Sequence, residues 1–284
     1  MTVTLEQSYR LCCEQARRAG TNFYISFRAL SPAKYRAMCA VYAFMRRSDD
    51  IADDAASPAS ATVALRAWRA QVDAALQGAT DDAGLVALAD TVKQYRIPVR
   101  HLHEVLDGTE MDQHVTRYQT FDELYRYCYR VASCVGLIVL PIFGYRDDSA
   151  LAPAEACGIA FQLTNILRDV KEDAGRDRIY LPLEDMQRFG VSEADIIQQR
   201  FSPAFKALMK FEADRARGYY ERAQPLFGLI APDSRATLAV MVGVYSALLD
   251  KIVARDFAVF ERRVRLTGPE KLLVAVRSWW RYRA

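Results

Sequence analysis

The stretch Ala156-Cys-Gly-Ile-Ala-Phe-Gln-Leu-Thr-Asn-Ile-Leu167 carries no charge and runs directly into Arg168-Asp169-Val-Lys-Glu-Asp173. An uncharged run of that length, opening near Pro153, predicts a helix buried on all sides at the centre of the fold. Its acidic end then needs a reason, because Asp169 and Asp173 share one helix face and like charges four apart repel. The same design occurs more than a hundred residues earlier. There the apolar run from Cys39 to Met45 leads into Asp49-Asp-Ile-Ala-Asp53-Asp54, pairing Asp49 with Asp53 and Asp50 with Asp54. One such cluster reads equally well as a solvated helix end balanced by neighbouring Arg. Two of matching design, each preceded by Arg, predict buried helices whose acidic ends face a divalent cation.

Carboxylates without nearby His or Cys are hard oxygen ligands and favour Mg²⁺, with Mn²⁺ as a substitute. Mg²⁺ keeps waters and binds few carboxylates together with a substrate's phosphates, and Arg46, Arg47 and Arg168 suit phosphate oxygens. Asp49, Asp53, Asp169 and Asp173 are therefore the candidate metal ligands. Gln162 and Asn165 lie on the Asp169 face of their helix, placed either to bond across the bundle or to orient carboxylates or waters, and Asn165 joins the candidate ligands. Tyr127 and Tyr245 stand mid-helix among apolar neighbours, where packing is the ordinary role. His101, His103 and His114 have no mating Cys, His or Ser pattern and read as surface or boundary residues.

Elsewhere helical periodicity dominates and two-residue alternation is nearly absent, so the fold class is all-α. Ser31-Pro32 predicts an N-cap with Pro at the first helical position, opening the helix that ends in the first acidic cluster. Thr120 with Glu123 predicts a capping box for a helix that continues past Gly136. Gly136 costs about 1 kcal/mol against Ala there, which predicts a kink or close packing. Residues 173–182 mix Gly, charge and Pro and read as a loop beside the metals. Helices at Pro203 to Ala223 and Ser234 to Ala254 complete a bundle. No linker divides residues 1–284, so a single domain is expected.

With 51% hydrophobic and 26% charged residues the chain has the profile of a soluble globular protein, and a formal charge of +3 is too mild to argue for nucleic acid. Six cysteines within helical patterns, without a signal peptide or a C-x-x-C pair, predict reduced thiols and a cytoplasmic protein. Apolar runs such as Leu137 to Phe143 fall short of the roughly 20 residues of a spanning helix. The end, Arg277-Ser-Trp-Trp-Arg-Tyr-Arg283, joins aromatics with positive charge, which suits either packing on the bundle or a peripheral membrane contact.

Phe23-Tyr-Ile-Ser-Phe27, Tyr42-Ala-Phe-Met-Arg46-Arg-Ser-Asp49-Asp-Ile-Ala-Asp53, Tyr127-Cys-Tyr-Arg-Val-Ala-Ser-Cys-Val135-Gly136, Gln162 to Asp173 and Arg178-Ile-Tyr-Leu-Pro182 together resemble the squalene and phytoene synthase family. The resemblance implies the isoprenoid synthase helical bundle with a central apolar cavity. It also implies head-to-head condensation of two allylic prenyl diphosphates. By the same resemblance Asp49, Asp53, Asp169 and Asp173 hold Mg²⁺ against the diphosphates and Arg46, Arg168 and Arg178 contact them. Gln162 and Asn165 are polar neighbours of the second motif, and Tyr127 and Tyr245 line the reaction centre. Phe23, Phe27, Tyr42, Val131 and Val135 are further candidates for the lining. Tyr129 to Gly136 and Arg262 to Thr267 look most like bacterial members that join two farnesyl diphosphates to presqualene diphosphate. Phytoene synthase, using geranylgeranyl diphosphate, is the runner-up; a terpene cyclase and a non-catalytic lipid-binding scaffold rank below it. No Gly-x-Gly-x-x-Gly is present, yet reducing members lack it too, so NADPH use stays open.

Overall fold

The computed structural model describes residues 3–19 and 22–282. Among the described residues fifteen α-helices follow in chain order. The first seven are α1 (Leu5–Ala19), α2 (Asn22–Phe27), α3 (Pro32–Asp53), α4 (Pro58–Leu76), α5 (Ala83–Tyr95), α6 (Val99–Met111) and α7 (Phe121–Cys128). Then come α8 (Cys134–Phe143), α9 (Leu151–Ala174), α10 (Leu183–Arg188), α11 (Glu193–Ile197), α12 (Pro203–Ala223), α13 (Leu226–Leu229), α14 (Pro232–Ala254) and α15 (Gly268–Tyr282). Among the described residues there is no strand, only the isolated bridges of Arg117 with Ile179 and Tyr145 with Ile230. One contiguous apolar core joins nearly all of these helices.

The uncharged run of α9 is the axis. Ile159, Ala160, Leu163, Thr164 and Leu167 are buried, and α9 packs against α8, α12 and α14. Gln162 and Asn165 are less buried than their neighbours, which marks the α9 face turned toward the site. Pro32 opens α3 as expected, but Ser31 makes no side-chain cap bond; the Tyr35 N–H bonds its carbonyl instead. Thr120 caps α7 by accepting from the Glu123 N–H, while the Glu123 carboxylate reaches back one residue further, to the Gln119 N–H.

The irregularity anticipated at Gly136 sits earlier. Tyr129–Ser133 forms a π-helical turn between α7 and α8, a widening that often accompanies functional sites. Two glycines let neighbouring helices close on it. A Cβ at Gly158 of α9 would stand 2.5 Å from the Ser133 Cα, and one at Gly108 of α6 would stand 2.7 Å from a Val131 methyl. Gly136 is itself a close approach, since a Cβ there would lie 3.1 Å from the Ala154 carbonyl. The continuous helix Phe121–Phe143 and α14 are each 23 residues and apolar enough to span a bilayer by length and composition. In this fold more than half of each apolar window is buried inside the bundle.

Candidate active site

Three helix C-termini supply the acids: Asp49 and Asp53 on α3, Asp112 as the cap of α6, and Asp169 and Asp173 on α9. A helix C-terminus carries about half a negative charge of its own, so acids there destabilise the helix unless positive charge faces them. The ends are close enough to act on one another electrostatically. Asp112 raises the pKa of both Asp49 and Asp173, and Asp53 raises that of Asp112.

The α9 end is held by arginines. Arg168 donates to Asp169 through Nε at 2.7 Å and Nη2 at 2.5 Å, and Arg263 donates to the same carboxylate through Nε and Nη2, each at 2.7 Å. Burial pushes the Asp169 carboxyl up, but these bonds and charges outweigh it and hold its pKa below the usual value. Arg263 arrives from the strand-free segment after α14, which is pinned to α9 by the Lys171 Nζ donating to the Phe260 carbonyl at 2.6 Å. Phe260 stacks on Phe205 of α12 with centroids 4.6 Å apart, and Val259 and Val264 are fully buried. One turn on, Asp173 lacks such a grip. Burial, then the charges of Asp169 and Asp112, push its pKa up to about 7.

At the α3 end the Asp49 side chain still reaches solvent, although the protein around it strips part of its hydration. Lost hydration, then the Asp53 charge, push its pKa up to about 6, with Arg46 opposing. Arg46 is engaged by Asp50 at 2.5 Å one turn along the helix. Arg47, grouped by sequence with the phosphate contacts, turns away from the acids and lines a surface hollow with Phe44, Trp68 and Leu85.

Between the two ends lies a group that sequence reading missed. Asp112 accepts from the Tyr127 hydroxyl at 2.9 Å and the Tyr180 hydroxyl at 2.8 Å, while Arg178 Nη2 donates to its backbone carbonyl at 2.7 Å. Tyr127 and Tyr180 stack at 5.2 Å, with Tyr118 beside both. Burial drives the Tyr127 phenol far above its ordinary pKa and raises Asp112 against the lowering by Tyr180, Arg178 and Tyr127. The 175–182 loop that delivers Arg178 and Tyr180 is tied down by Arg117, which donates to the Asp177 carbonyl at 2.6 Å and its carboxylate at 2.8 Å. Asp177 adopts φ +56°, a left-handed conformation that Asp tolerates. The Ile179 N–H closes the loop onto the Thr116 carbonyl at 2.9 Å.

On the α9 face, Asn165 Nδ2 donates weakly to Gln162 Oε1 at 3.4 Å, and Tyr245 lies within hydrogen-bonding reach of Asn165 and stacks on Phe161 at 4.5 Å. Buried acceptors Asn165 Oδ1 and Glu172 Oε2 find no hydrogen-bond partner. Such orphans call for a donor or an ion. Among the described residues no three acidic, His or Cys side chains close into a cage by themselves. Open carboxylates with raised pKa, orphaned oxygens and three helix C-termini fit a hard cation completed by water and phosphate oxygens, as Mg²⁺ prefers.

The remaining candidates divide. Tyr42 is half-buried and meets Phe27 edge-on at 6.5 Å, but Phe27 is a core residue with 3% exposure. Val131 rides the π-helical turn against Gly108, and Val135 is half-buried on α8. The side chain of Phe23 lies outside the described residues. Of the three histidines expected at the surface or a boundary, His101 is instead buried on α6, while His103 pairs with Asp73 at 2.7 Å and His114 bonds Thr62 at 2.9 Å.

The sequence pattern of the squalene/phytoene synthase family matches residues 16–270. A 15-cis-phytoene synthase of Synechocystis sp. is 36% identical, covering 98% of this chain and 86% of that protein. Phytoene synthase 2, chloroplastic, of Solanum lycopersicum is 34% identical, covering 95% and 89%. Among solved structures, a dehydrosqualene synthase crystallised with a ligand superposes with TM-score 0.91 at 29% identity, over 98% of each chain. Squalene synthase HpnC from Alicyclobacillus acidocaldarius gives 0.83 at 26%, over 89% and 95%. With its acids, arginines and tyrosines converging on a shared helical frame, and with this likeness along nearly its whole length, the chain belongs to the squalene/phytoene synthase family of prenyltransferases.

Proposed function

We propose that this chain joins two geranylgeranyl diphosphates head to head to give phytoene. The observation that carries the reaction class is the meeting of three acidic helix ends with Arg168, Arg178 and Arg263. Support for the C20 substrate comes from the relatives named phytoene synthase, which match 95% or more of the chain at 34–36% identity. The sequence reading toward farnesyl diphosphate and presqualene diphosphate becomes the second reading, favoured by the dehydrosqualene synthase likeness.

Mg²⁺ bound by Asp49, Asp53, Asp169 and Asp173, with Asn165, would supply the charge that holds the diphosphates and eases their departure. Arg168, Arg178 and Arg263 present fixed guanidinium donors to phosphate oxygens, aimed before any charge develops. Holding both substrates at one centre makes the coupling effectively intramolecular. The stacked faces of Phe161 and Tyr245, and of Tyr127 and Tyr180, suit an allylic cation and keep water from it. Tyr127 donates to Asp112 and stays protonated, so it takes a proton only by passing its own to Asp112. Released diphosphate is the competing acceptor. Joining two C20 chains to phytoene loses two diphosphates and two protons with no change in electron count, so this reading requires no NADPH; squalene from C15 chains does.

Mass spectrometry of products from purified protein and Mg²⁺, given farnesyl or geranylgeranyl diphosphate with and without NADPH, tests it. Phytoene from the C20 substrate without reductant is the expected result. Presqualene diphosphate or squalene from the C15 substrate alone transfers the assignment to the second reading, and no dimeric product from either removes the prenyl-coupling role.

A further inference from the structure

α15 is apolar on two opposite sides. Its inner side, Val274 and Ala275, joins Val240, Val244 and Leu266 in a small separate cluster, and Ser278 closes on Gly243 of α14. Its outer side is bare: Leu272 is 66% exposed, Leu273 50%, Val276 47% and Trp280 72%. At 100° per residue these four fall within one stripe opposite the packed face, with the exposed Pro269 on the same line. A surface helix of a globular domain is ordinarily polar there.

Charge says what covers the stripe. From residue 262 to 283 the chain has seven Lys and Arg against one acid, while the whole protein carries only +3. The one acid, Glu270, is already paired with Lys251 at 2.7 Å. Arg262, Arg265 and Arg277 are exposed and have no acidic partner among the described residues. A second copy placed on this stripe would bring two basic rims together. An anionic lipid surface instead offers acyl chains to Leu272, Val276 and Trp280 and headgroup charge to the arginines, with Trp at the level that indole rings prefer.

We infer that α15 is a membrane-docking helix that lies in the interface of an anionic bilayer with its Leu272–Trp280 side inserted. Arg263 links it to the site: the segment that grips Asp169 leads within a few residues into α15. Docking there sets the reaction centre beside the phase into which a long hydrocarbon partitions.

Sedimentation of the full chain with phosphatidylcholine vesicles, with and without half phosphatidylglycerol, tests the inference independently of catalysis. Binding to the anionic vesicles that weakens in high salt is expected. The triple variant Leu272→Gln, Val276→Gln, Trp280→Gln should bind at least about tenfold more weakly, with unchanged circular dichroism and thermal midpoint because these side chains touch solvent. Arg265→Ala with Arg277→Ala should weaken the anionic preference while leaving the fold intact. No binding to either vesicle, or unchanged binding of the triple variant, overturns the inference. A lipid-free dimer that the triple variant converts to monomer overturns it too, by assigning the stripe to a second copy.

Discussion

At the end of α9, Asp169 is gripped by two guanidiniums and its carboxyl is held below the usual pKa, whereas at the end of α3 Asp49 faces Arg46 as the opposing charge, and burial with the Asp53 charge pushes it up to about 6. Both ends have the same four-residue spacing and the same unfavourable place on a helix dipole. The difference lies in what the fold delivers. Arg263 reaches Asp169 from 94 residues away, and among the described residues no guanidinium bonds Asp49 in the same way. Equal spacing therefore describes a shared geometry but not a shared charge state. On α9 only Asp169 is charge-balanced by arginine; Asp173 on the same end and Asp49 on α3 are both raised, and both would ionise more readily beside a cation.

The sharpest way to break this comparison is to remove one acid from each end. Asp49→Asn and Asp173→Asn should each lower kcat/KM by about 10²–10³-fold at saturating Mg²⁺. Unchanged steady-state rates in folded variants would end the metal-site reading. Arg263→Ala should make the α9 end resemble the α3 end, with an expected loss of about tenfold in kcat/KM and about 1 kcal/mol of stability, since Arg168 remains on the partly exposed pair. A pH–rate profile should then show Asp169 titrating at higher pH than in the parent; an unmoved profile would mean that Arg168 alone sets it.

Thermal melts across pH separate the arginine-held Asp169 from Asp49 and Asp173 by sign. Asp49 and Asp173 have folded pKa values of about 6 and 7 against 3.8, so the folded state binds more protons than the unfolded one between these values. Their contribution is present at low pH and lost as pH rises through 6 to 7. Asp169 does the opposite: its stabilisation exists above the unfolded pKa and fades as pH falls through its lowered folded value. In EDTA, Tm should fall from pH 5.5 to pH 8, and Mg²⁺ should restore most at pH 8. Glu212, buried beside Arg215 and pushed to about 7, adds to the same trend, so the slope lost in an Asp49→Asn, Asp173→Asn double variant isolates the site. The smallest effect belongs to Asp54→Asn. Its side chain is exposed beyond the last turn of α3, and activity should stay within about twofold of the parent; a larger loss would extend the site outward.

Much of the fold was legible because helical periodicity and uncharged runs are local properties of the chain. The run at 156–167 became the central helix, and both acidic clusters sit at helix ends as their spacing predicted. Asp112 was not legible, since a lone acid after Met111 has no partner at helical spacing and its meaning comes from Tyr127 and Tyr180, which are 15 and 68 residues away. Arg47 misled for a related reason: it stands two residues before Asp49, about 200° around the helix, and here that angle turns it toward Trp68 and Leu85.

The sequence by itself determined the helices and the two acidic ends, and it prompted the reading of their carboxylates as hard oxygen ligands, because each depends on residues within a turn or two of one another. Only the tertiary structure decided that three helix C-termini meet, that Arg263 grips Asp169, and that Asp112 stands between two tyrosines. It also decided that one side of α15 stays bare. Those outcomes depend on close approach between distant segments, such as Gly158 against Ser133, and on how much water each carboxylate loses when the segments meet.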